Sequence, residues 1–214
     1  MAIIKDAENK KLITDGGIIV EGTAGNTGIG LTLIANSKGY KSIIVMPDTQ
    51  TKEKINTLKT IGADLRLVPA KPYKDPDNYV KYSGRLAEEI SKKNNGNVFW
   101  ANQFDNTANY LGHYQTTGKE IWEQTKGNVD GFICSSGTGG TIAGVGKLLK
   151  EKNKNIKIYL SDPKGSALYN YIKSNELKIE GNSITEGIGS SRITSNFKEA
   201  IIDDAYQIDD LSLI

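Results

Sequence analysis

Short runs of β-branched residues alternate with longer helical patterns along most of this sequence. Six runs have the composition of buried strands: 18–20, 42–47, 64–69, 97–101, 130–135 and 156–163. Helical periodicity follows each of the first five, and Thr51 and Gly62 mark the expected start and end of one helix. Such alternation predicts parallel sheets covered by helices, and so an α/β fold.

Three further segments carry structural expectations. The opening MAIIKDAENKKL has helical spacing, which puts Ile3, Ile4, Ala7 and Leu12 toward one face. One helix is predicted in residues 107–125, TANYLGHYQTTGKEIWEQT. The proline-bearing stretch 69–79 is predicted to be a surface loop, and the polar stretch 181–196 an irregular loop of the kind that often lines a site.

Composition narrows the class of protein. The 214 residues suffice for one large or two small domains, and 37% hydrophobic and 24% charged residues are typical of folded chains. A net charge of +2 argues against a dedicated nucleic-acid or membrane-surface protein. The single cysteine, Cys134, fits a reducing cytosol, and we expect a cytoplasmic location.

The first candidate site is the loop EGTAGNTGIG (21–30), at a strand-to-helix junction where α/β sheets place ligands. Its glycines permit tight turns, and the hydroxyls of Thr23 and Thr27 and the amide of Asn26 offer polar contacts beside a helix N-terminus. A glycine-rich turn with Thr27 as the N-terminal cap of the helix remains the alternative.

The second candidate site is SSGTGGT (135–141), at the start of another helix. No lysine follows Gly140, so it is not a Walker-type loop, and Ile142 stands where a dinucleotide fingerprint needs its last glycine. The remaining backbone N–H groups suit a single phosphate monoester. Asp162, at the end of the next strand, leaves dinucleotide binding as an alternative.

Single reactive residues add little. His113 is the only histidine and has no obvious nucleophile beside it, which favours a hydrogen-bonded helix residue. Cys134 lies in an apolar strand, where an unreactive thiol is expected. Gln103, in the loop after a strand, faces either a ligand or the protein. No group of residues has the spacing of metal ligands, and no metal is expected.

Four segments, in order, resemble the pyridoxal-phosphate-dependent β-replacement family of cysteine synthase (O-acetylserine sulfhydrylase) and cystathionine β-synthase. They are EGTAGNTGIG, ANQFDNTANYLGHYQTTGKEIW, GTGGTIAG and ITEGIGSSRIT. The resemblance implies a two-domain, three-layer αβα fold of mostly parallel sheets, as in the tryptophan synthase β subunit. It places the domains at 1–106, with a mobile part at roughly 40–95, and at 107–214.

The resemblance also implies roles for particular residues. Asn26 would bond the ring hydroxyl of pyridoxal phosphate, and Gly187 would lie near the ring. The 5′-phosphate would be held by Gly137, Thr138, Gly139, Gly140 and Thr141. The α-carboxylate of an amino-acid substrate would be received by Thr23, Ala24, Gly25, Thr27 and Gln103.

The implied reaction makes L-cysteine from O-acetylserine and sulfide, in an enzyme that is usually a homodimer and needs neither nucleic acid nor membrane. In this family a Schiff-base lysine precedes the helix whose end reads AIIKDAENKKL here. Since the sequence starts inside that helix, we expect no catalytic residue of this kind in it, and Lys5, Lys10 and Lys11 to be surface residues. Both domains are expected to be incomplete.

Three explanations follow from that expectation. The sequence is an inactive fragment of a working cysteine synthase, which is the reading we favour. Alternatively it is a short non-catalytic paralogue that binds pyridoxal phosphate, another phosphate ligand or a protein partner. The third is another reaction of the family, or assembly with a second polypeptide that supplies the lysine.

Overall fold

The computed structural model describes residues 1–213, and every strand pair in them is parallel. This confirms the predicted α/β class. The chain divides into two compact units after Gln103, whereas the sequence-based boundary lies at residue 106. Each unit has its own parallel sheet.

The first unit contains a four-stranded sheet in the order β3-β2-β1-β4. Its elements are α1 (Ala2–Asn9), β1 (Ile18–Gly22), α2 (Asn26–Ser37), β2 (Lys41–Pro47), α3 (Lys52–Thr60), β3 (Asp64–Val68), α4 (Tyr79–Lys93) and β4 (Val98–Trp100). The chain adds β2 and β3 on one side of β1 and then returns to add β4 on the other. The order of the strands therefore reverses at β1.

Alternation along the strands of the first unit sends neighbouring side chains to opposite faces of the sheet. Ile19 and Phe99 pack with α1 and α2 in one apolar cluster. Val20 and Ile43 pack with Ala87 of α4 in another. Helices thus cover both faces, which gives three layers.

The second unit contains a three-stranded sheet in the order β5-β6-β7. Its elements are α5 (Ala108–Gln115), α6 (Thr117–Gln124), β5 (Gly131–Cys134), α7 (Gly140–Lys152), β6 (Lys157–Pro163), α8 (Leu168–Ser174), α9 (Ser195–Lys198), β7 (Asp204–Ile208) and a 3₁₀ turn (Asp210–Leu213). One apolar cluster, which includes Ile142, Leu149, Ile158 and Leu160, joins α7 to the sheet.

Two sequence-based expectations about helices are wrong. The single helix predicted in residues 107–125 is broken at Thr116, whose φ and ψ are −119° and −78°. The Thr116 hydroxyl donates to the Gly112 carbonyl, and such local bonds compete with continuous helix. The break lets Gly118 pack closely on Leu148 of α7.

Leu12 is not on the apolar face of the first helix. Helix α1 ends at Asn9, and Lys11 has a φ of 56°, so Leu12 is 50% exposed while Ile4 and Ala7 are fully buried. The alternative in which Thr27 caps its helix is also wrong. The N-terminal cap of α2 is Gly25, and Thr27 lies in the first turn.

Candidate functional site

The reversal of strand order at β1 positions the first candidate loop. In open α/β sheets, ligands bind beyond the carboxyl ends of the strands at such a point. Residues 23–27 follow β1, and we call them the carboxylate loop after the ligand that the family resemblance implies for them. Gln103 comes shortly after the neighbouring strand β4. Both segments leave the same edge of the sheet because the two strands are parallel.

The carboxylate loop is held tightly against its own unit. The Thr23 N–H donates to the Val45 carbonyl at 2.9 Å, and the Thr23 hydroxyl accepts from the Gly25 N–H at 3.1 Å. Gly25 has a φ of 147°, a conformation that residues with a side chain rarely adopt. Helix α2 then begins at Asn26, and its first N–H groups have no acceptor within the helix. These groups and the helix dipole favour an anion.

Gln103 links the carboxylate loop to a buried acid. Its side-chain Oε1 accepts from the Thr27 hydroxyl at 2.6 Å, and its Nε2 donates to Oε1 of Glu21 at 3.1 Å. Its backbone N–H donates to Oε2 of Glu21 at 3.3 Å. Glu21 is 1% exposed, and burial raises the pKa of its carboxyl group to about 8, although N–H donors from Gln103, Asn102 and Gly22 act in the opposite direction.

The half-buried side chain of Lys54 lies over the same loop. Its Cδ is 2.7 Å from the position that a Cβ on Gly25 would take, and its Nζ donates to Oε1 of Gln50 at 3.3 Å. Glycine at position 25 therefore permits both the unusual backbone conformation and the close approach of the Lys54 side chain. Neither Glu21 nor Lys54 is among the predicted site residues.

In the second unit, residues 137–141 lead from β5 into α7, and we call them the phosphate cup after the group that the family resemblance assigns to them. The N-terminal cap of α7 is Gly139, which has a φ of 88°. Each of its three glycines faces a close neighbour where a Cβ would stand: the Gly187 carbonyl oxygen at Gly137, the Phe197 backbone 2.6 Å away at Gly139, and the Asn109 side chain at Gly140. Only glycine fits these positions, and the cup lies at a helix N-terminus, where the helix dipole favours an anion.

The two threonines of the cup are oriented by neighbouring helices. The Thr138 hydroxyl accepts from Nδ2 of Asn109 at 3.0 Å and from the Gly140 N–H at 3.3 Å. Thr141 Oγ1 lies 3.3 Å from Nε2 of His113, whose Nδ1 lies 3.0 Å from Thr117 Oγ1. Burial lowers the pKa of His113, so the imidazole is neutral near pH 7.

His113 is the hydrogen-bonded helix residue that its position in the sequence favoured. It nevertheless contacts the cup, because α5 and α7 approach closely at Gly144, where an added Cβ would lie 2.7 Å from His113 Cβ. This contact joins residues 28 apart in the sequence, and no local pattern indicates it.

The segment that contains Gly187 lies against the cup. Gly189 N–H donates to the Ser136 carbonyl at 2.8 Å, and the Thr194 hydroxyl donates to the Thr138 carbonyl at 2.6 Å. Arg192 forms a two-pronged ion pair with Asp105 at 3.1 and 2.8 Å. Burial opposes ionisation of Asp105, but Arg192 and the Ser195 N–H outweigh it and lower its pKa.

Other candidate residues have structural surroundings. Burial raises the pKa of Cys134 to about 11, which fits an unreactive thiol. Asp162 is fully buried and accepts from the Tyr169 N–H at 2.8 Å. Burial raises the pKa of its carboxyl group, although the hydrogen bonds from Tyr169 and Ser166 act in the opposite direction. Within residues 1–213, no cluster of three or more His, Cys, Asp or Glu side chains could hold a metal ion.

The two units define a protein of the α/β class, with one glycine-containing loop at a helix N-terminus beside each parallel sheet. A family model described as "Pyridoxal-phosphate dependent enzyme" matches residues 1–212. The chain belongs to this family, whose members depend on pyridoxal phosphate. The resemblance read from the four segments is thereby confirmed.

Among curated proteins, the chain is similar to cysteine synthases. The chain is 48% identical to cysteine synthase 1 of Neurospora crassa over 97% of its own length and 55% of the relative. It is equally similar to cysteine synthase 1 of Emericella nidulans, of which it covers 56%. The chain thus spans about half the length of these proteins.

Solved structures agree on the fold. A hydrogen sulfide-producing enzyme from Fusobacterium nucleatum is 35% identical, with a TM-score of 0.82 over 98% of this chain and 66% of that one. O-ureido-L-serine synthase is 29% identical, with a TM-score of 0.83 over 98% of this chain and 62% of that one. The predicted fold type of the pyridoxal-phosphate β-replacement enzymes is therefore confirmed.

Proposed function

We propose that this chain is part of a cysteine synthase that replaces the β-substituent of an activated serine, O-acetylserine, with sulfide to give L-cysteine. The observation that carries the proposal is the phosphate cup of a pyridoxal-phosphate family member, whose three glycines each lie against a neighbour that a Cβ would strike. The likeness to cysteine synthases at 48% identity supports the reaction class.

Pyridoxal phosphate fits the residues of the cup. A phosphate monoester needs several N–H and hydroxyl donors without a competing carboxylate, and residues 137–141 contain only glycine and threonine. Gly137, Thr138, Gly139, Gly140 and Thr141 would hold the phosphate, Asn26 would bond the ring hydroxyl and Gly187 would lie near the ring. When bound, this cofactor stabilises negative charge that develops at the substrate α-carbon.

The residues of the carboxylate loop perform the binding step. The N–H groups at the start of α2 and the hydroxyls of Thr23 and Thr27 would bind the substrate carboxylate, with Ala24, Gly25 and Gln103 completing the loop. Fixing the carboxylate orients the rest of the amino acid, and such orientation is a large part of enzymatic rate enhancement.

We further propose that the 214-residue chain by itself does not catalyse the reaction. No lysine in the sequence matches the family's Schiff-base segment, and the base that removes the α-proton would be that lysine. The whole enzyme would act in the cytoplasm as a homodimer on small molecules alone. No helix within residues 1–213 is long and apolar enough to cross a membrane.

The test mixes the 214-residue chain with pyridoxal phosphate, follows visible absorption, reduces with borohydride and determines the mass. We expect saturable binding that inorganic phosphate competes away, no stable mass increase and no cysteine from O-acetylserine and sulfide. A mass increase on one lysine, or cysteine production, would overturn the proposed inactivity. Absence of binding to a folded chain would overturn the assignment of the cup.

A further inference from the structure

The side-chain amide of Gln103 has two possible orientations, which differ by an exchange of its oxygen and nitrogen. In the structure, Oε1 faces Thr27 and the carboxylate loop, while Nε2 faces Glu21 and, at 3.4 Å, the Gly22 carbonyl. This orientation presents an acceptor to the loop. A substrate carboxylate is itself an acceptor and needs a donor from Gln103.

Glu21 decides which orientation is stable because it is the acidic partner of the amide. An ionised carboxylate only accepts, so it holds Nε2 toward itself and leaves Oε1 facing Thr27. A protonated Glu21 can donate its O–H to Oε1, which turns Nε2 toward Thr27 and the loop. The flip also brings Oε1 near the Gly22 carbonyl, which opposes it, so the proton on Glu21 is required.

We infer that Glu21 is a positioning residue that selects, through its proton, whether Gln103 offers the carboxylate loop a donor or an acceptor. The inference rests on the proposed function of the loop as the receiver of a substrate carboxylate. Protonated Glu21 favours carboxylate binding for two reasons: the amide donates, and no negative charge lies behind the loop.

The surroundings of Glu21 allow this titration. The carboxyl group is 1% exposed, and the groups acting on it are the backbone N–H groups of Gly22, Asn102 and Gln103 and the Gln103 amide. Within residues 1–213, no charged side chain from the packed elements β2, β4, α2 or α4 is among them. Burial without a cationic partner raises the pKa of this carboxyl group to about 8, inside the range in which enzymes work.

The first experiment needs no ligand. The side-chain amide signals of Gln103 are followed by NMR from about pH 6 to about pH 9 and assigned by their loss in Gln103→Met. We expect them to shift in a single titration that is absent in Glu21→Gln and unchanged in Glu88→Gln, an exposed glutamate of α4. A Gln103 signal that does not change with pH in the wild-type chain would overturn the inference.

The second experiment measures the affinity of the wild-type chain and the Glu21→Gln variant for L-serine across the same pH range. One pH unit above the pKa, only about a tenth of the wild-type chain is protonated, so its dissociation constant rises about tenfold relative to the variant. Titration of the probe's own amine affects both proteins and cancels in the ratio. A ratio independent of pH would refute the coupling.

Failure of the proposed function has a different signature. If neither protein binds L-serine at any pH while the Gln103 signals still titrate with Glu21, the amide orientation is correct and the assignment of the loop to a carboxylate is wrong. If the variant does not fold, the wild-type NMR titration alone decides the inference.

Discussion

At the scale of residues, the conformation of each loop depends on single glycines, and the clearest case is Gly139 in the phosphate cup. We predict that Gly139→Ala lowers the free energy of unfolding by about 1–3 kcal/mol, because alanine is strained at a positive φ. Its Cβ would also lie 2.6 Å from the Phe197 backbone. Urea unfolding and a phosphate titration measure the loss of stability and of binding.

Gly30→Ala is the matched control. Gly30 is an exposed residue inside α2, and nothing lies within 4 Å of a Cβ there. Alanine is a better helix former than glycine by about 0.8–1 kcal/mol, so this variant should unfold at a higher urea concentration. Equal losses in both variants would mean that the Phe197 contact is not what excludes alanine at position 139.

Glu21 also links stability to pH. Its pKa is raised in the folded state from 4.5 to about 8. Between these values the folded chain keeps a proton that the unfolded chain releases, so the stabilisation is complete below pH 4.5 and is lost as pH rises toward 8.

We predict that Glu21→Gln removes this dependence. The free energy of unfolding of the wild-type chain should fall relative to the variant by up to about 1.4 kcal/mol per pH unit across this window. Chemical unfolding at a series of pH values measures the difference. A constant difference would mean that Glu21 is ionised in the folded chain throughout.

At the scale of elements, Asn78 joins α4 to the stretch 69–79. Its Oδ1 accepts from the Val80 N–H at 3.0 Å as the helix cap, and its Nδ2 donates to the Lys71 carbonyl at 2.7 Å. Asn78→Ala removes both bonds at a 4% exposed position and should cost about 2 kcal/mol.

Asn78→Asp separates the two contributions. Aspartate keeps the cap acceptor but has no donor for the Lys71 carbonyl, so we expect a smaller loss than in the alanine variant. Thermal unfolding monitored by circular dichroism compares the three proteins. An aspartate variant as unstable as the alanine variant would place the stabilisation in the loop contact alone.

Local signals predicted elements well where caps and periodicity agreed. Helix α4 begins after a capping asparagine and spans the residues whose periodicity indicated it, and Thr51 caps α3 as expected. The sequence did not indicate α8, α9 or β7. β7 consists of DAYQI and is a strand because it pairs with β6. Pairing between residues that are distant in the sequence cannot be predicted from the composition of a five-residue segment.

In the candidate site, too, some features follow from local sequence and others depend on the assembled fold. Both loops were recognisable from glycine, threonine and their position after strands. Glu21 and Lys54 were missed, although a charged residue at the end of the apolar run IIV was a signal of a buried polar partner. The partners of His113, Thr141 and Asn109 depend on the approach of α5 to α7, which only the assembled fold supplies.

At the scale of the whole molecule, each unit contains one of the two tryptophans: Trp100 in β4 and Trp122 in α6. We predict that inorganic phosphate raises the urea midpoint reported by Trp122 in a Trp100→Phe variant. A ligand that binds only the folded state at 100 times its dissociation constant stabilises it by about 2.7 kcal/mol.

The reciprocal variant, Trp122→Phe, reports the first unit through Trp100. Its midpoint should move less, because the phosphate cup belongs to the second unit. Intrinsic fluorescence during urea unfolding, with and without phosphate, gives both midpoints. A larger shift in the Trp100 signal would place phosphate binding in the first unit and contradict the assignment.

The contact between Lys54 and Gly25 has a mechanical consequence. Helix α3 belongs to the part of the chain, roughly 40–95, that the family resemblance predicts to be mobile, and the stem of its Lys54 fills the space above the carboxylate loop. A displacement of α3 would therefore carry the Lys54 stem away from Gly25 or press it closer to the loop. Ligand binding at the carboxylate loop and the position of α3 would then influence each other through this one contact.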